Sequence, residues 1–435
     1  MKRSAAISLA LALSLLLNLL SGCAAGAAEG LGQPIPTEIT VLSPAEPVPT
    51  PAESAQPAPE PSPDEERARQ AAANRFALEL LRAEYAQKDS NVILSPLSIE
   101  TALSMASEGA WGEAKEALEA LGLGTEQGAA LSQADGDSVL SIANSMWFNE
   151  KLDGKVNQSF KNTLSAQYGA EEGFFTPESL DSVRKINGWV KENTREKIDA
   201  IVTKEALSEE TLAVLINAVY FGGEWADPFE ARQIRQEKFY ADSKKGVEVQ
   251  DAELMSDGVK TYFETELATG FAKGYKNGYE FIAILPKTAG AQGLEEVLTG
   301  LDLDEFLQSR TWEYDVNIAI PKFELEYANS LKETLTGLGL GSIFEPRALD
   351  RVLTGEALAL GDTAWVGDVL HKTYMRMYEE GTEAAAATAV MFTYGTTSIS
   401  HREQRAVVLD RPFAFLIRDV DSGRVVFCGA VNSVK

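Results

Sequence analysis

Residues 211–221 form a near-continuous apolar run in the middle of the 435-residue chain. β-branched and aromatic residues are frequent in this run, and they favour a strand over a helix. A strand that is apolar on both faces needs other elements packed above and below it. The run therefore predicts a central strand that is buried on both faces of a sheet.

Other patterns predict both helices and strands. Large apolar residues at helical spacing predict an amphipathic helix that opens the globular part, namely Phe76, Leu80, Leu81 and Tyr85. Alternating or apolar patterns predict further strands over 316–320, 413–417 and 424–428, the last two on either side of a turn at 421–423. Helical patterns dominate the first half of the chain and strand patterns the second, so the predicted class is α+β.

The first 22 residues have the form of an export signal. The basic start Met1-Lys2-Arg3 precedes an apolar run over 5–20, which ends in Leu20-Ser21-Gly22-Cys23. A transmembrane anchor is the alternative, but the run is shorter than the roughly 20 residues that cross a bilayer. Leu-Ser-Gly-Cys resembles the lipobox of bacterial lipoproteins. This resemblance implies a lipoprotein signal peptide over 1–22, with Cys23 as the lipidated first residue of the mature chain.

Proline recurs every few residues over 33–63, with small and polar residues between. Such a composition cannot bury a core and is typical of an extended linker. We therefore expect residues 23–68 to be a lipidated tether and residues 69–435 to be one globular domain. The domain would be secreted and anchored outside the cell envelope, in contact with the membrane only through the lipid.

Composition argues against several classes of function. The net charge of −26 is unsuited to nucleic acid or anionic membrane surfaces, which are bound by dense basic patches. With only Cys23, Cys428, His371 and His401 available, we expect no disulfide framework, no metal site and no other cofactor. The chain has no G-x-S-x-G, H-E-x-x-H or P-loop motif. A paired-carboxylate site stays open, but an enzyme is not the expected function.

The most unusual segment is Glu379-Glu380-Gly381-Thr382-Glu383-Ala384-Ala385-Ala386-Ala387-Thr388. Alanine favours a helix, but the segment lacks a stripe of large apolar residues, and so short a helix without a partner is marginal in water. As a strand, the segment would turn its small uncharged side chains to one face and Glu383 to the other. It could therefore enter a sheet without burying a charge.

This segment resembles the reactive-loop hinge of inhibitory serpins, a family of serine protease inhibitors. Other stretches resemble serpin motifs and follow in family order, namely 91–99, 217–225, 321–323, 338–344 and 411–418. The resemblance covers residues 68–435 and, with the lipobox, indicates a bacterial lipoprotein-type serpin. It implies the serpin fold, an α+β domain with three β-sheets, about eight to nine helices and an exposed reactive-centre loop.

The resemblance also implies the function. A protease would cleave the loop and become acylated, and the loop would then insert into the central sheet and trap the enzyme. The chain would be a monomeric suicide inhibitor whose partner is its target protease. The alternative is a non-inhibitory serpin that acts as a surface carrier, chaperone or binding lipoprotein. Such members usually have bulky, charged or proline residues in the hinge, and here only Glu383 is of that kind after Gly381.

The family's structural roles can be transferred by position. The resemblance implies that Ser95, Ser98, Asn217 and His371 form the shutter, whose polar contacts hold the central strands together. It implies that Trp225 lies in the breach above them, where Lys322 and Glu379 form a salt bridge beneath the hinge.

The scissile bond follows from the family's usual spacing, counted from either end of the loop. Counting forward from the hinge puts the bond after Gly395 or Tyr394, with Thr396 as a further candidate. Counting backward from Pro412 ends near Arg402 instead. We prefer the forward count, because insertion depth is set from the hinge. Tyr394 would suit chymotrypsin- or subtilisin-like proteases, whose deep apolar pocket accepts an aromatic side chain, whereas Arg402 would suit trypsin-like enzymes.

Overall fold

The computed structural model describes residues 62–88, 90–122, 140–243, 246–382 and 402–435, without the side chains of Pro63 and Ser141. Several predictions lie outside these residues, namely those on Cys23, most of the tether, 383–388 of the hinge, the bonds at 394–396, and His401. In the part of the chain that is described, no helix is both long enough and apolar enough to cross a membrane.

The described residues contain nine α-helices. They are α1 (Pro63–Gln87), α2 (Pro96–Gly109), α3 (Gly112–Ala120), α4 (Gln158–Tyr168), α5 (Leu180–Asn193), α6 (Gly290–Gly300), α7 (Leu303–Gln308), α8 (Lys332–Leu335) and α9 (Gly355–Ala359).

The N-terminus of helix α1 is capped by side chains. Ser62 and Glu65 form a capping box, in which each side chain accepts a hydrogen bond from the other residue's backbone N–H. The predicted opening helix is confirmed by the burial or half-burial of its apolar positions, Phe76, Leu80, Leu81 and Tyr85. Since α1 starts at Pro63, helix also covers the last residues of the segment assigned to the tether, and the domain boundary at 69 stays a prediction.

Seventeen strands occur in the same residues. They are β1 (Val92–Leu94), β2 (Leu140–Asn149), β3 (Glu171–Phe175), β4 (Ala213–Phe221), β5 (Gly223–Glu224), β6 (Ile234–Ser243), β7 (Gly246–Val259), β8 (Tyr262–Glu264), β9 (Ala268–Gly274), β10 (Tyr279–Pro286), β11 (Asp315–Pro321), β12 (Phe323–Ser330), β13 (Asp368–Tyr378), β14 (Gly381–Thr382), β15 (Gln404–Val408), β16 (Phe413–Asp419) and β17 (Val425–Val431). The strands predicted over 316–320, 413–417 and 424–428 are therefore confirmed as β11, β16 and β17, with shifts of a residue or more at their ends.

These strands form three sheets. The first has the order β3-β2-β4-β13-β14-β5, and β12 also pairs with β13. The second has the order β1-β17-β16-β10-β9-β8, and the third the order β15-β11-β7-β6. Helices and three sheets together confirm the predicted α+β class.

Strand β4 is the central strand that the apolar run predicts. All nine of its residues are buried. On one face, Val214 and Ile216 pack in a cluster with Ile186 and Val190 of α5. On the other face, Leu215, Val219 and Phe221 belong to the main core. The prediction is confirmed, except that the strand begins at Ala213 and not at residue 211.

Strands β4 and β13 pair in parallel, and we call their contact the seam. Its register runs from Val214↔Asp368 to Tyr220↔Tyr374. Where β13 ends at Tyr378, the chain turns back and forms the two-residue strand β14, which pairs with both β13 and β5. The seam and its upper end therefore hold most of the residues that the sequence assigns to the shutter and the breach.

Candidate functional site

Polar side chains hold the middle of the seam together. His371 Nδ1 donates to Asn217 Oδ1 across the seam at 2.8 Å, and His371 Nε2 accepts from the Ser95 backbone N–H at 3.2 Å. Because Nε2 is an acceptor, the imidazole proton lies on Nδ1. Asn217 Nδ2 donates to the Ser98 carbonyl oxygen at 2.7 Å. The structure thus brings together the four predicted shutter residues, which we call the shutter cluster.

The shutter cluster is completely buried, with each of its residues at 0% exposure. Burial lowers the pKa of His371 to about 3, because the charged imidazolium is disfavoured away from water. His371 is therefore neutral at physiological pH and can both donate and accept a hydrogen bond. The Ser98 hydroxyl has no hydrogen-bond partner among the described residues.

Two residues that the sequence did not identify extend the shutter cluster to neighbouring strands. Asn217 Nδ2 also donates to Asn144 Oδ1 of β2 at 2.6 Å. Thr373 Oγ1 of β13 donates to the Ile93 carbonyl oxygen of β1 at 2.8 Å. The seam is therefore tied to β2 on one side and to the second sheet beneath it.

Trp225 lies at the upper end of the seam and is fully buried. Its ring stacks on Tyr275 with 4.3 Å between ring centroids and 8° between planes. Its indole N–H donates to the Tyr378 carbonyl oxygen at 3.1 Å, and its backbone N–H donates to the Glu380 carbonyl oxygen at 2.9 Å. Trp225 therefore fixes the point where the chain leaves β13 for the reactive loop.

Lys322 and Glu379 form an ion pair below the start of the hinge. Lys322 Nζ is 2.7 Å from Glu379 Oε2 and 3.0 Å from Glu253 Oε2. Partial burial by itself would raise the pKa of Glu379, but the hydrogen bond from Lys322 holds that pKa below its usual value. The ion pair therefore links the end of β13 to the loop after β11 and, through Glu253, to β7.

The first hinge residues are already part of the sheet. Gly381 and Thr382 pair with Tyr378 and Met377 of β13 on one side and with β5 on the other. Thr382 is completely buried, and its hydroxyl is 2.8 Å from the Tyr275 hydroxyl. Only glycine fits at position 381, because a Cβ there would lie 1.9 Å from the Gly223 carbonyl oxygen.

The chain is also fixed where it returns from the reactive loop. β15 pairs in parallel with β11, with Gln404 opposite Asp315. The Glu403 carbonyl oxygen accepts from the Asp315 backbone N–H at 3.1 Å, and Arg402 Nη1 donates to the Trp312 carbonyl oxygen at 3.0 Å. The backbone is therefore bound to the third sheet from Glu403 onward, and the Arg402 side chain is bound to the segment just before β11.

This arrangement agrees with a family match. A family model described as Serpin (serine protease inhibitor) matches residues 71–434. The chain belongs to the serpin family. Serpins are generally inhibitors of proteases and not enzymes.

Relatives and solved structures span nearly the whole domain. Iripin-2 of Ixodes ricinus is 32% identical over 386 residues, which are 83% of this chain and 93% of Iripin-2. An uncharacterised serpin-like protein of Thermococcus kodakarensis is 31% identical over 84% of this chain and 85% of its own. The crystal structure of the thermophilic serpin tengpin in the native state has a TM-score of 0.73 and 30% identity, over 88% of this chain and 97% of that one.

Tyr275 is the main site residue that the sequence analysis missed. It touches both the breach tryptophan and the hinge hydroxyl, yet it lies in an ordinary stretch that follows β9. Burial raises the pKa of its hydroxyl, so Tyr275 is un-ionised at physiological pH. A lone tyrosine in such a stretch carries no sequence signal of such a contact.

Proposed function

We propose that this serpin is a suicide inhibitor of chymotrypsin- or subtilisin-like serine proteases, which it traps by inserting its reactive loop into the seam. The position of β14 carries the proposal. Gly381 and Thr382, the third and fourth hinge residues, already pair with β13 and β5 at the upper end of the seam. Insertion would continue a strand whose first two residues are in place.

The reaction would begin as ordinary proteolysis. The protease serine Oγ attacks the carbonyl carbon of the scissile bond and forms an ester, its proton passes through the protease's histidine to the departing amine, and the new amino terminus leaves. The loop remains attached to the protease through that ester. If the loop enters the seam before water attacks the ester, the enzyme is carried along and the acyl-enzyme persists.

The length of the seam supports the forward count of the scissile bond. In an antiparallel ladder, each residue added to the loop moves the pairing back by one residue on the neighbouring strand. From the pair Thr382↔Met377, the ladder would reach the end of the seam with Met391 opposite Asp368. Tyr394 and Gly395 follow within four residues, so either could hold the acylated protease just beyond the inserted strand.

Arg402 is the weaker candidate for the scissile residue. Its side chain is bound to the carbonyl oxygen of Trp312, just before β11, and the next residue, Glu403, is bound to Asp315 of the third sheet. A protease needs several extended residues on both sides of the bond that it cuts, and here the chain after the bond would have to leave the sheet. Tyr394 is therefore our candidate for specificity, because an aromatic side chain fills the deep apolar pocket of chymotrypsin-like enzymes.

The composition of the hinge favours inhibition over the non-inhibitory alternative. The side chains that would face the core are Ala384, Ala386, Thr388 and Val390, all of them small or compact and uncharged. The side chain of Thr382 lies on the same face and is buried. Its hydroxyl is hydrogen-bonded to the uncharged hydroxyl of Tyr275. A buried charge or a large side chain on this face would oppose insertion.

We also propose where the protein acts. The lipobox-like sequence that ends at Cys23 and the proline-rich tether suggest a monomeric, bacterial lipoprotein-type serpin held outside the cell envelope by its lipid. From that position it would meet extracellular proteases, which are its proposed partners.

Incubation with chymotrypsin, subtilisin, elastase and trypsin tests the proposed function. We expect a denaturant-resistant complex with chymotrypsin or subtilisin, together with a released fragment that begins at Gly395 or Thr396. Quantitative cleavage without any complex would support a non-inhibitory serpin. A complex formed only with trypsin, with a fragment that begins at Glu403, would overturn the assignment of Tyr394.

A further inference from the structure

Trp312 lies on the surface of the domain, in the segment that leads from α7 into β11. Its side chain is 56% exposed, whereas every other tryptophan of the chain is buried or half-buried. A single exposed apolar residue is ordinary in a folded protein. Exposure alone therefore does not mark Trp312 as part of a contact surface.

The backbone on both sides of Trp312 is held in place. Thr311 and Tyr262 of β8 exchange two backbone hydrogen bonds, at 2.9 and 3.0 Å. The Trp312 carbonyl oxygen accepts from Arg402 Nη1 at 3.0 Å. Three residues later, Asp315 enters β11 and pairs with β15. The segment is therefore attached to the second sheet before Trp312 and to the third sheet after it.

Arginine side chains lie against the aromatic rings of this segment. The Arg310 guanidinium is 5.5 Å from the centre of the Trp312 ring. Its two terminal nitrogens donate to the carboxylate oxygens of Glu280 at 3.1 and 2.7 Å. Glu280 is buried, so this bidentate pair holds Arg310 in one orientation. The Arg405 guanidinium lies 4.4 Å from the centre of the Tyr314 ring.

The exposed indole thus belongs to an ordered group of alternating arginine and aromatic side chains. We call Arg310, Trp312, Tyr314 and Arg405 the Trp312 platform. Tryptophan, tyrosine and arginine are the residues that most often dominate the binding energy of protein interfaces. A side chain that is already ordered in the free protein loses little entropy when a partner covers it. The platform is therefore suited to bind another protein, with the indole as its apolar anchor.

The point where the reactive loop returns indicates which partner could reach the Trp312 platform. Arg402 binds the Trp312 backbone, so the loop ends beside the platform. A bond cut after Tyr394 or Gly395 lies seven or eight residues before Arg402, which is at most about 28 Å of extended chain. A protease of about 230 residues is roughly 45 Å across. A protease that holds the loop in its active site is therefore large enough to cover the platform as well.

We infer that the Trp312 platform is a second contact surface for the target protease, with Trp312 as its anchor. This inference rests on the proposed function, because it gives the protease that cuts the loop another attachment to the domain. The protease surface that covers the platform needs an apolar recess to receive the indole ring. The contact forms in the encounter complex, before the ester exists, and it takes no part in the later insertion of the loop.

Trp312→Ala removes the anchor, and Trp312→Phe keeps an aromatic ring at the same place. Leu360→Ala is the matched control, because Leu360 is 76% exposed and follows α9, outside the three sheets. The Kd of each protein is measured for chymotrypsin or subtilisin whose catalytic serine has been replaced by alanine, so that binding occurs without cleavage. The active protease then gives the rate constant of complex formation and the stoichiometry of inhibition.

We expect Trp312→Ala to raise the Kd and to lower the rate constant of complex formation, each by about 5- to 30-fold. Trp312→Phe should lose less, and Leu360→Ala should match the parent. The stoichiometry of inhibition and the gain in melting temperature on cleavage should not change, because both are set after the protease has cut the loop. A merely structural role of Trp312 would instead lower the melting temperature of the intact form.

A Trp312→Ala protein that binds and inhibits like the parent would refute the contact surface and leave the proposed function standing. Equal losses in Trp312→Ala and Leu360→Ala would also refute it. A dimeric parent that becomes monomeric in Trp312→Ala would assign the platform to a second copy of the chain and overturn the inference. If the parent forms no complex with any of the proteases, the proposed function and this inference fail together.

Discussion

Replacing Gly381 by alanine perturbs the upper end of the seam without touching a charged or catalytic group. Gly381 has a φ of 154°, which residues with a Cβ rarely adopt. An added Cβ would lie 1.9 Å from the Gly223 carbonyl oxygen and 2.7 Å from Glu224 Cα. Both are backbone atoms, so neither can swing away as a side chain can. The unfavourable φ alone costs on the order of 1–3 kcal/mol.

This cost should destabilise the pairing of β14 with β13 and β5. At about 1.4 kcal/mol per factor of ten, the population of paired hinge falls by roughly 5- to 150-fold. The cleaved form needs the same pairing, so its stability falls too, and slower insertion lets more acyl-enzyme hydrolyse. We expect Gly381→Ala to raise the stoichiometry of inhibition several-fold and to reduce the gain in melting temperature on cleavage by about 2–6 °C.

The assay titrates the protease that the parent inhibits best and then melts the intact and cleaved forms. Gly154→Ala is the matched control, because Gly154 also has a positive φ, 72°, but no atom of the described residues lies within 4 Å of its added Cβ. The control should lower the melting temperature of both forms equally. A Gly381→Ala protein with the stoichiometry and melting gain of the parent would refute the reasoning.

Three other predictions concern the hinge, the lipid anchor and the shutter cluster. Ala384→Pro should convert the inhibitor into a substrate, because proline removes a ladder donor as the loop enters the sheet; equal yields of trapped protease in variant and parent would contradict it. Cys23→Ala should abolish partition into the detergent phase, and unchanged membrane association would exclude the lipid anchor. Below pH 6.5, the intact form should lose up to about 1.4 kcal/mol of unfolding free energy per pH unit, because buried His371, with its pKa lowered to about 3, takes up a proton only on unfolding. His371→Gln should flatten this slope in urea titrations at several pH values, and an unchanged slope would exclude His371 as its source.

Strong periodic patterns predicted the framework of the fold. The apolar run over 211–221 predicted β4, because a strand that is covered on both faces must be apolar throughout. The strand ends were less certain, since Thr211 and Leu212 continue the run but precede the first residue of β4. Their backbone leads into the sheet, and apolarity alone cannot mark where pairing begins.

Site residues were predicted only where the resemblance to serpins assigned a role to a particular position in the chain. Nothing in composition would pair Asn217 with His371, which are 154 residues apart in the chain and meet through parallel pairing. Tyr275, Asn144 and Thr373 were missed because each is an ordinary residue of a strand or its flank, and its role depends on one or two tertiary contacts. The register of β14 likewise required the structure, since a two-residue strand leaves no periodic signal.

The melting temperature before and after one cut at 394–396 tests the central claim most directly, when combined with amide exchange along the seam. If the loop inserts, the cleaved form melts at a higher temperature, and the backbone amides over 214–220 and 368–374 exchange more slowly than in the intact form, because a new strand pairs with both sides of the seam. A cleaved form that melts at or below the intact temperature, with unchanged exchange at the seam, would contradict insertion and the inhibitory mechanism built on it.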